Sequence, residues 1–302
     1  MSTAPPPAVP FFKGHGTEND FVIVPDPDGR LTLTPEAVAR ICDRRAGVGG
    51  DGLLRVVRSA ADPEARGMAD RAEWFMDYRN ADGSVAEMCG NGVRVFARHL
   101  RRAGLVKADG LAVATRGGIK RVRFADDTRD GEIEVDMGRA VLPSGSDPSV
   151  TVSVGGREWP ARHVDMGNPH AVAFVDRLDE AGELYEAPGV APAAAYPRGT
   201  NVEFVVDRAP GHVALRVHER GSGETRSCGT GACAVAVAAA RRDGVDPAAT
   251  GRAVTYVVDV PGGTLRVTEA PDGGVTLAGP AVIVAEGTLD AALLGGPAAG
   301  RR

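Results

Sequence analysis

The sequence reads as an α+β chain built from two similar halves, each dominated by antiparallel strand. Three observations predict this. Short apolar runs alternate with turn signals along most of the chain, the pattern of strands. Helical periodicity is confined to a few stretches, and no regular strand–helix alternation calls for a parallel sheet. The halves also repeat. Gly16-Thr-Glu-Asn-Asp-Phe-Val-Ile-Val-Pro-Asp26, followed later by Cys89-Gly-Asn-Gly92 and a helix, is echoed by Gly167-Asn-Pro-His-Ala-Val-Ala-Phe-Val-Asp176, followed by Cys228-Gly-Thr-Gly231 and a helix.

In chain order, residues 1–10 are Pro-rich and expected to be disordered, as is the small-residue tail from Leu293 to Arg302. Asp20–Val24 is the first strand-like run. Pro35–Arg44 is a helix, with Thr34 as N-cap and Pro35 at its first position. Gly47-Val-Gly-Gly-Asp-Gly52 fits neither a dinucleotide fingerprint nor a phosphate loop. It reads as a tight turn, with a backbone lining for a cleft as the alternative. Gly92–Ala103 and Gly231–Arg242 are helices that open directly after a Gly-rich turn. Ala140–Gly156, rich in Pro, Ser and Gly, is the expected linker between halves. Ala171–Val175, Val202–Val206, Val213–Val217, Thr255–Val258 and Val275–Leu277 complete the strand-like runs.

Composition removes several classes of function. A chain of 302 residues, 43% hydrophobic and 25% charged, has the size and balance of one large domain or two ordinary ones. With 35 basic against 40 acidic residues it has no basic excess for nucleic acid. Its longest apolar run, Ala232–Ala240, has nine residues, well short of the ~18 that a membrane helix needs. The opening MSTAPPPAVP shows no basic and apolar leader pattern, and four cysteines are too few for a disulfide framework, so a cytoplasmic protein is expected. Cys42, Cys89, Cys228 and Cys233 contain no C-x₂-C pair and no His at ligand spacing, which argues against both zinc and dithiol redox chemistry.

The two Cys-Gly-x-Gly turns carry the chemistry. Glycines beside a side chain at a strand-to-helix turn let a ligand approach the backbone. The helix that follows offers unpaired N–H groups and the positive end of its dipole. Such a turn holds a carboxylate and is expected to lower the pKa of its thiol. Two of them suggest one thiolate and one thiol, the requirement for moving a proton across a carbon centre. Cys89 and Cys228 are therefore the candidate bases, whereas Cys42 and Cys233 lie in helical, Ala-rich surroundings and read as core. Asn19, Asn80, Asn91, Asn168 and Asn201 stand at turns, where they are either turn formers or recognise the ammonium and carboxylate of an amino acid. Glu219-Arg220 suits the same task, and His15 and His170 are structural or tune a nearby thiol.

At these residues the chain resembles the diaminopimelate epimerase family. The blocks are Lys13-Gly-His-Gly-Thr-Glu-Asn-Asp-Phe21, Cys42-Asp-Arg-Arg, Gly47-Val-Gly-Gly-Asp51, Asn80-Ala-Asp-Gly-Ser84, Glu87-Met-Cys-Gly-Asn-Gly92, Met166-Gly-Asn-Pro-His170, Asn201-Val-Glu-Phe204, Glu219-Arg-Gly-Ser-Gly-Glu224 and Cys228-Gly-Thr-Gly-Ala-Cys233. They stand in the family's order and cover most of residues 11–290. The resemblance implies a cofactor-independent epimerase that interconverts L,L- and meso-diaminopimelate for lysine and peptidoglycan synthesis, with Cys89 and Cys228 as its two bases. It implies substrate binding by Asn19, Asn80, Asn168, Asn201, Glu219 and Arg220, and a grip on the reacting α-carboxylate by Gly90-Asn91 and Gly229-Thr230. His170 and Glu219 would set the protonation of the thiols. The implied fold is two pseudo-symmetric domains, each a mostly antiparallel, barrel-like sheet wrapped around a central helix.

On that pattern residues 1–140 form the half carrying Cys89, completed by a returning strand at 282–291. Residues 141–281 form the half carrying Cys228, and 292–302 are a flexible tail. A small-molecule substrate is expected, with no metal, nucleic acid or membrane; a homodimer stays open. Two departures from the family pattern stand out. Thr17-Glu18 replaces the common Leu-Gly before Asn19, and Gly52 stands where some members have Gln. The competing readings are a proline or hydroxyproline racemase and a diaminopimelate sensor without catalysis. Proline lacks the second amino acid end that the Asn set and Glu219-Arg220 would recognise.

Overall fold

The helices that follow the two Cys-Gly-x-Gly turns are the elements around which the strands are arranged. The structure, a computed structural model, describes residues 9–125, 131–143, 150–290 and 292–295. The chain divides into two compact units. The first runs to Gly16, resumes from Asp20 to Ile133 and takes the chain back from Ala281; the second holds Thr17–Asn19 and Glu134–Pro280. The three residues Thr17–Asn19 thus join the second unit, although they precede it by more than a hundred positions.

The first unit contains β1 (Val9–Gly16), β2 (Asn19–Pro25), α1 (Pro35–Cys42), β3 (Gly52–Arg58), β4 (Trp74–Asn80), α2 (Gly90–Arg102), β5 (Gly110–Thr115) and β6 (Gly118–Phe124). The second begins within β7 (Ile133–Arg139) and continues through β8 (Val150–Val154), β9 (Arg157–Asp165), β10 (Pro169–Phe174), β11 (Gly189–Ala191), β12 (Asn201–Ala209), β13 (His212–Glu219) and β14 (Gly223–Thr225). It ends with α3 (Gly229–Arg242), α4 (Pro247–Thr250), β15 (Val254–Val260), β16 (Gly263–Glu269) and β17 (Gly274–Gly279). The last strand, β18 (Val282–Leu289), pairs antiparallel with β1, so the first unit is closed by the end of the chain.

The repeat seen in the sequence recurs in the ladders. In the first unit β2 runs parallel to β3, β3 antiparallel to β4, β4 parallel to β5, and β5 antiparallel to β6. In the second, β10 runs parallel to β12, β12 antiparallel to β13, β13 parallel to β15, and β15 antiparallel to β16. The two parallel ladders in each unit are local exceptions in an otherwise antiparallel architecture.

Each unit wraps its strands around one helix. From Gly231 to Ala240, α3 is buried on every side, and its small Gly, Ala, Cys and Val side chains let strands β9, β10, β12, β13 and β15–β17 close on it. The corresponding α2, packed against β1, β3, β4, β6 and β18, is buried from Gly90 to Leu100 although it carries Arg94, Arg98 and His99. Arg98 is held through Nε by the Ala281 carbonyl at 3.1 Å, and burial pushes His99 down to about 4, so its imidazole is neutral at pH 7.

Four sequence expectations need adjustment. Both central helices start two residues before Gly92 and Gly231, because the cysteines themselves are the N-caps. The expected linker Ala140–Gly156 is only partly a connection: 144–149 lie outside the described residues, and Val150–Val154 forms β8 against β9. Residues 1–8 and 296–302 of the expected disordered ends also lie outside the described residues, but Val9 and Pro10 already belong to β1. Leu293 and Leu294 pack against the apolar cluster of Val22, Val38, Ile41 and Leu53, because their side chains find apolar cover there, so this part of the tail is not free. Thr34 caps α1 as expected, accepting from Ala37 N at 3.2 Å, and Gly47–Gly52 forms the turn from α1 to β3.

A buried ion network supports the approach to Cys89. Asp77, on β4, is 1% exposed and contacts Arg55 at 3.5 Å, Arg79 at 3.1 Å and Arg116 at 2.8 Å. Arg116 also donates to the Tyr78 carbonyl, while its neighbour Gly117 donates to the Glu87 carbonyl two residues before Cys89. Burial alone would raise the Asp77 carboxyl, but hydrogen bonds from Arg79 and Arg116 outweigh it and hold the group low. A depressed carboxyl contributes stability above its unfolded pKa of about 3.9 and loses it as pH falls through the folded value. Asp77→Asn is therefore expected to lower stability at pH 7 by about 3–5 kcal/mol, with the gap to the native chain narrowing in acid. Urea denaturation at a series of pH values measures both.

Candidate active site

The second unit assembles most of the polar residues singled out from the sequence. Cys228 lies at the end of the turn after β14, in extended backbone, and its Sγ accepts a hydrogen bond from Gly231 N at 3.3 Å. The sulfur therefore satisfies one of the first-turn N–H groups that α3 cannot pair internally. Thr230 Oγ1 lies 3.6 Å from the same sulfur and 3.3 Å from Asn168 Nδ2. The other side of the Asn168 amide, Oδ1, faces His170 Nε2 at 3.1 Å, and His170 Nδ1 lies 2.6 Å from Glu203 Oε1. A continuous line of contacts thus leads from the thiol to a carboxylate that is fully buried.

Glu219 closes the site from β13. Its half-buried carboxylate is hydrogen-bonded by the Cys228 thiol and by Thr225 Oγ1, and burial pushes its carboxyl up from the ordinary range. Asn201, at the start of β12, accepts from Arg220 N at 2.9 Å and donates to the Pro169 carbonyl at 3.3 Å. It fixes the backbone where Arg220 leaves the strand. The Arg220 guanidinium points to the Arg198 and Gly199 carbonyls.

Thr17 and Glu18 show how this chain accommodates its departure from the common Leu-Gly. Both are left-handed, with φ of +49° and +61°. Such a backbone favours glycine and costs other residues about 1–2 kcal/mol each. Local bonds offset it: Thr17 Oγ1 meets Ser227 Oγ at 2.6 Å, and Glu18 pairs with Arg226. The turn carrying Asn19 is thereby tied to the residues directly before Cys228.

In the first unit Cys89 Sγ accepts from Gly92 N at 3.4 Å, the same N-cap arrangement. Gly90 and Asn91 form the first turn of α2, and Asn80, at the end of β4, is held by Tyr78 Oη and Ser84 Oγ, each at 3.0 Å. Cys42 and Cys233 are buried core residues, as expected, and burial pushes the Cys42 thiol up to about 12. Among the described residues, no group of three or more His, Cys, Asp or Glu is placed to hold a metal ion.

The expectation that the helix N-terminus lowers both thiols fails at Cys228. Burial pushes this thiol far up, and the neighbouring charges of Glu219 and Glu203 push in the same direction. The hydrogen bonds from Thr230 and Gly231 N oppose them and lose. The sequence reading also missed Glu203. Its signal was available, since it is an acidic residue inside the apolar strand run Val202–Val206, where one face at least had to be buried.

Comparison with known proteins follows the same lines. The sequence profile described as "Diaminopimelate epimerase" matches residues 11–143 and 162–284. A Streptomyces coelicolor protein named diaminopimelate epimerase is 72% identical over 95% of this chain and 98% of its own. One from Thermobifida fusca is 50% identical over 92% and 96%. Among solved structures, a Bacillus anthracis phenazine biosynthesis protein of the PhzF family matches with a TM-score of 0.67 at 18% identity, covering 94% of this chain and all of that one. A hydroxyproline epimerase from Agrobacterium vitis matches with a TM-score of 0.67 at 13% identity, covering 95% and 92%. These structural likenesses show the shared fold of two sheet-rich domains.

Cys228 is expected to remain a thiol at pH about 8.5, where an ordinary cysteine is half ionised. Removing a like charge by Glu219→Gln is expected to move its ionisation to lower pH. The rate of iodoacetamide labelling of the Cys228 peptide against pH, read by mass spectrometry in both proteins, checks this. Labelling of the native protein with an ordinary cysteine profile would contradict it.

Proposed function

Because the chain belongs to the diaminopimelate epimerase family, we propose that it interconverts L,L- and meso-diaminopimelate, with Cys89 and Cys228 as the two acid–base groups. The observation that carries this reading is the repeated arrangement in which a cysteine sulfur caps a buried central helix. The enzyme is an isomerase, and its difficulty is the very weak acidity of an amino acid α-proton.

Removal of that proton leaves negative charge on the α-carbon, shared with the α-carboxylate. The N–H groups of Gly90-Asn91 and Gly229-Thr230 lie in the first turns of α2 and α3, at the positive helix ends, and suit the stabilisation of that charge. One thiolate takes the proton from one face, and the opposite thiol returns a different proton to the other. Cys228, protonated at rest, is built to give a proton, and Glu219 beside it, with its own carboxyl raised, suits proton exchange with the sulfur. Cys89 then takes the proton in the turnover that starts from this resting form.

Recognition of the distal amino acid end falls to Asn19, Asn80, Asn168, Asn201, Glu219 and Arg220, with Glu219 offering charge to an ammonium and Arg220 to a carboxylate. His170 acts on the thiol side of the site. This reading places the enzyme in the cytoplasm, supplying lysine and peptidoglycan precursors. No helix among the described residues is long and apolar enough to cross a membrane.

Cys89→Ala and Cys228→Ala are each expected to reduce epimerisation at least 10³-fold while leaving the fold intact, since each removes a group that transfers a proton in the reaction. Cys42→Ala and Cys233→Ala are expected to keep most activity. Proton NMR of L,L-diaminopimelate with reduced protein, following the appearance of the meso form and with proline as a parallel substrate, measures all four. Normal turnover by either of the first two variants would sink the two-base scheme, and turnover of proline in place of diaminopimelate would overturn the substrate.

A further inference from the structure

The two central helices begin alike, but what lies beneath their first turns differs. In the first unit, a side-chain carbon added at Gly92 would meet Leu54 Cδ2 at 3.4 Å and Phe21 Cζ at 3.6 Å. In the second, one added at Gly231 would meet Glu203 Oε1 at 2.8 Å and Cys228 Sγ at 3.2 Å. The ladders make these positions equivalent. Phe21 stands opposite Gly52 in the parallel pair β2–β3, and Leu54 lies two residues further on; His170 stands opposite Asn201 in β10–β12, and Glu203 lies two residues further on. An apolar pair in one unit is thus replaced by an acid and an imidazole in the other.

Stability does not account for the replacement. Phe21 and Leu54 are both fully buried and fill their position with apolar contact. His170 and Glu203 are also fully buried, and Glu203 Oε2 has no hydrogen-bond partner among the described residues. Burying a charged or half-satisfied polar pair where an apolar pair fits is the less stable choice. The polar pair occurs only under the cysteine that Glu219 also touches. Glu203 reaches the reacting sulfur only through His170, Asn168 and Thr230, or through space across Gly231.

We propose that Glu203 is a positioning residue for the Cys228 side of the site, holding His170 by Nδ1 so that Nε2 is turned to Asn168 and the line through Thr230 to the thiol is kept in register. This deepens the epimerase reading and rests on it for its kinetic consequences. A carboxylate that fixes the tautomer and orientation of an imidazole in this way is a known device at catalytic sites. The other ionisable groups around the pair are Glu219 on β13 beside the thiol, His163 and Asp165 on β9, and Tyr196, whose hydroxyl meets His163 Nδ1 and the His170 carbonyl. Among the described residues none of these is hydrogen-bonded to His170 Nδ1; Glu203 holds that nitrogen and thereby turns Nε2 to Asn168.

The test uses Glu203→Gln, which keeps the shape and removes the charge, and the pair His170→Phe with Glu203→Leu, which copies the first unit. In ¹⁵N NMR of histidine-labelled protein, His170 Nε2 is expected to carry the proton that Asn168 Oδ1 accepts in the native chain, and the Nδ1 signal, set by its contact with Glu203, to shift in Glu203→Gln. The same variant is expected to lose roughly 10–100-fold in kcat with KM held, as for other residues that orient a functional group from behind. The double variant is expected to fold at least as well as the native chain, by urea denaturation, and to lose activity. An unchanged His170 signature in folded Glu203→Gln, or native kcat in the double variant, would overturn the proposal. If the native chain did not epimerise diaminopimelate, the epimerase reading would fall, and the His170 signal would still decide the role of Glu203.

Discussion

A cysteine sulfur that accepts the N–H of the third residue of a buried helix is the interaction on which both units depend. The central helices cannot satisfy their own first N–H groups, and with strands on all sides little water is available to do so. Cys89 and Cys228 supply acceptors at 3.4 Å and 3.3 Å, which places each thiol at the positive end of a helix dipole and in the extended backbone of an N-cap. The capping cysteine needs glycine in the turn that follows. At Gly231 the surrounding Glu203 and Cys228 atoms leave no space for a side chain. Capping, packing and chemistry therefore converge on the same four residues in each unit.

Identical capping does not make identical thiols. At Cys228 the stabilising influence of the helix N-terminus is outweighed by burial and by two carboxylates, Glu219 and Glu203. In the proposed reaction, which uses one thiol and one thiolate, a difference between half-sites decides which cysteine starts in which form. The asymmetry is built from strand residues rather than from the turn. His170 and Glu203 stand where Phe21 and Leu54 stand in the first unit, on ladders of the same sense and order.

The repeat, the strand runs and the central helices were legible in the sequence because each depends on local pattern and on the spacing of Gly and Cys. The thiols were legible for the same reason. Less legible was anything set by contacts distant along the chain. Thr17–Asn19 belongs with residues some two hundred positions away, which a reading by halves assigns to the wrong side. The dipole of α3 favours a thiolate locally, but burial and the carboxylates that β13 and β12 bring beside Cys228 outweigh it. Arg94 at 0% exposure within α2 likewise contradicts the simple rule that charged residues lie outside. The start of the central helices was misplaced by two residues because cysteine is not among the usual N-caps.

The central claim is that the proton removed from the substrate and the proton delivered to the product are held by different groups. It is tested most directly by an initial-rate reaction of L,L-diaminopimelate in D₂O with reduced protein, separating remaining substrate from product and measuring deuterium at the α-carbon of each. The two-base account predicts deuterium in the meso product and unlabelled substrate at early times. Substrate that gains deuterium as fast as product forms, or product that retains the original proton, would mean that a single group moves the proton and would contradict the account.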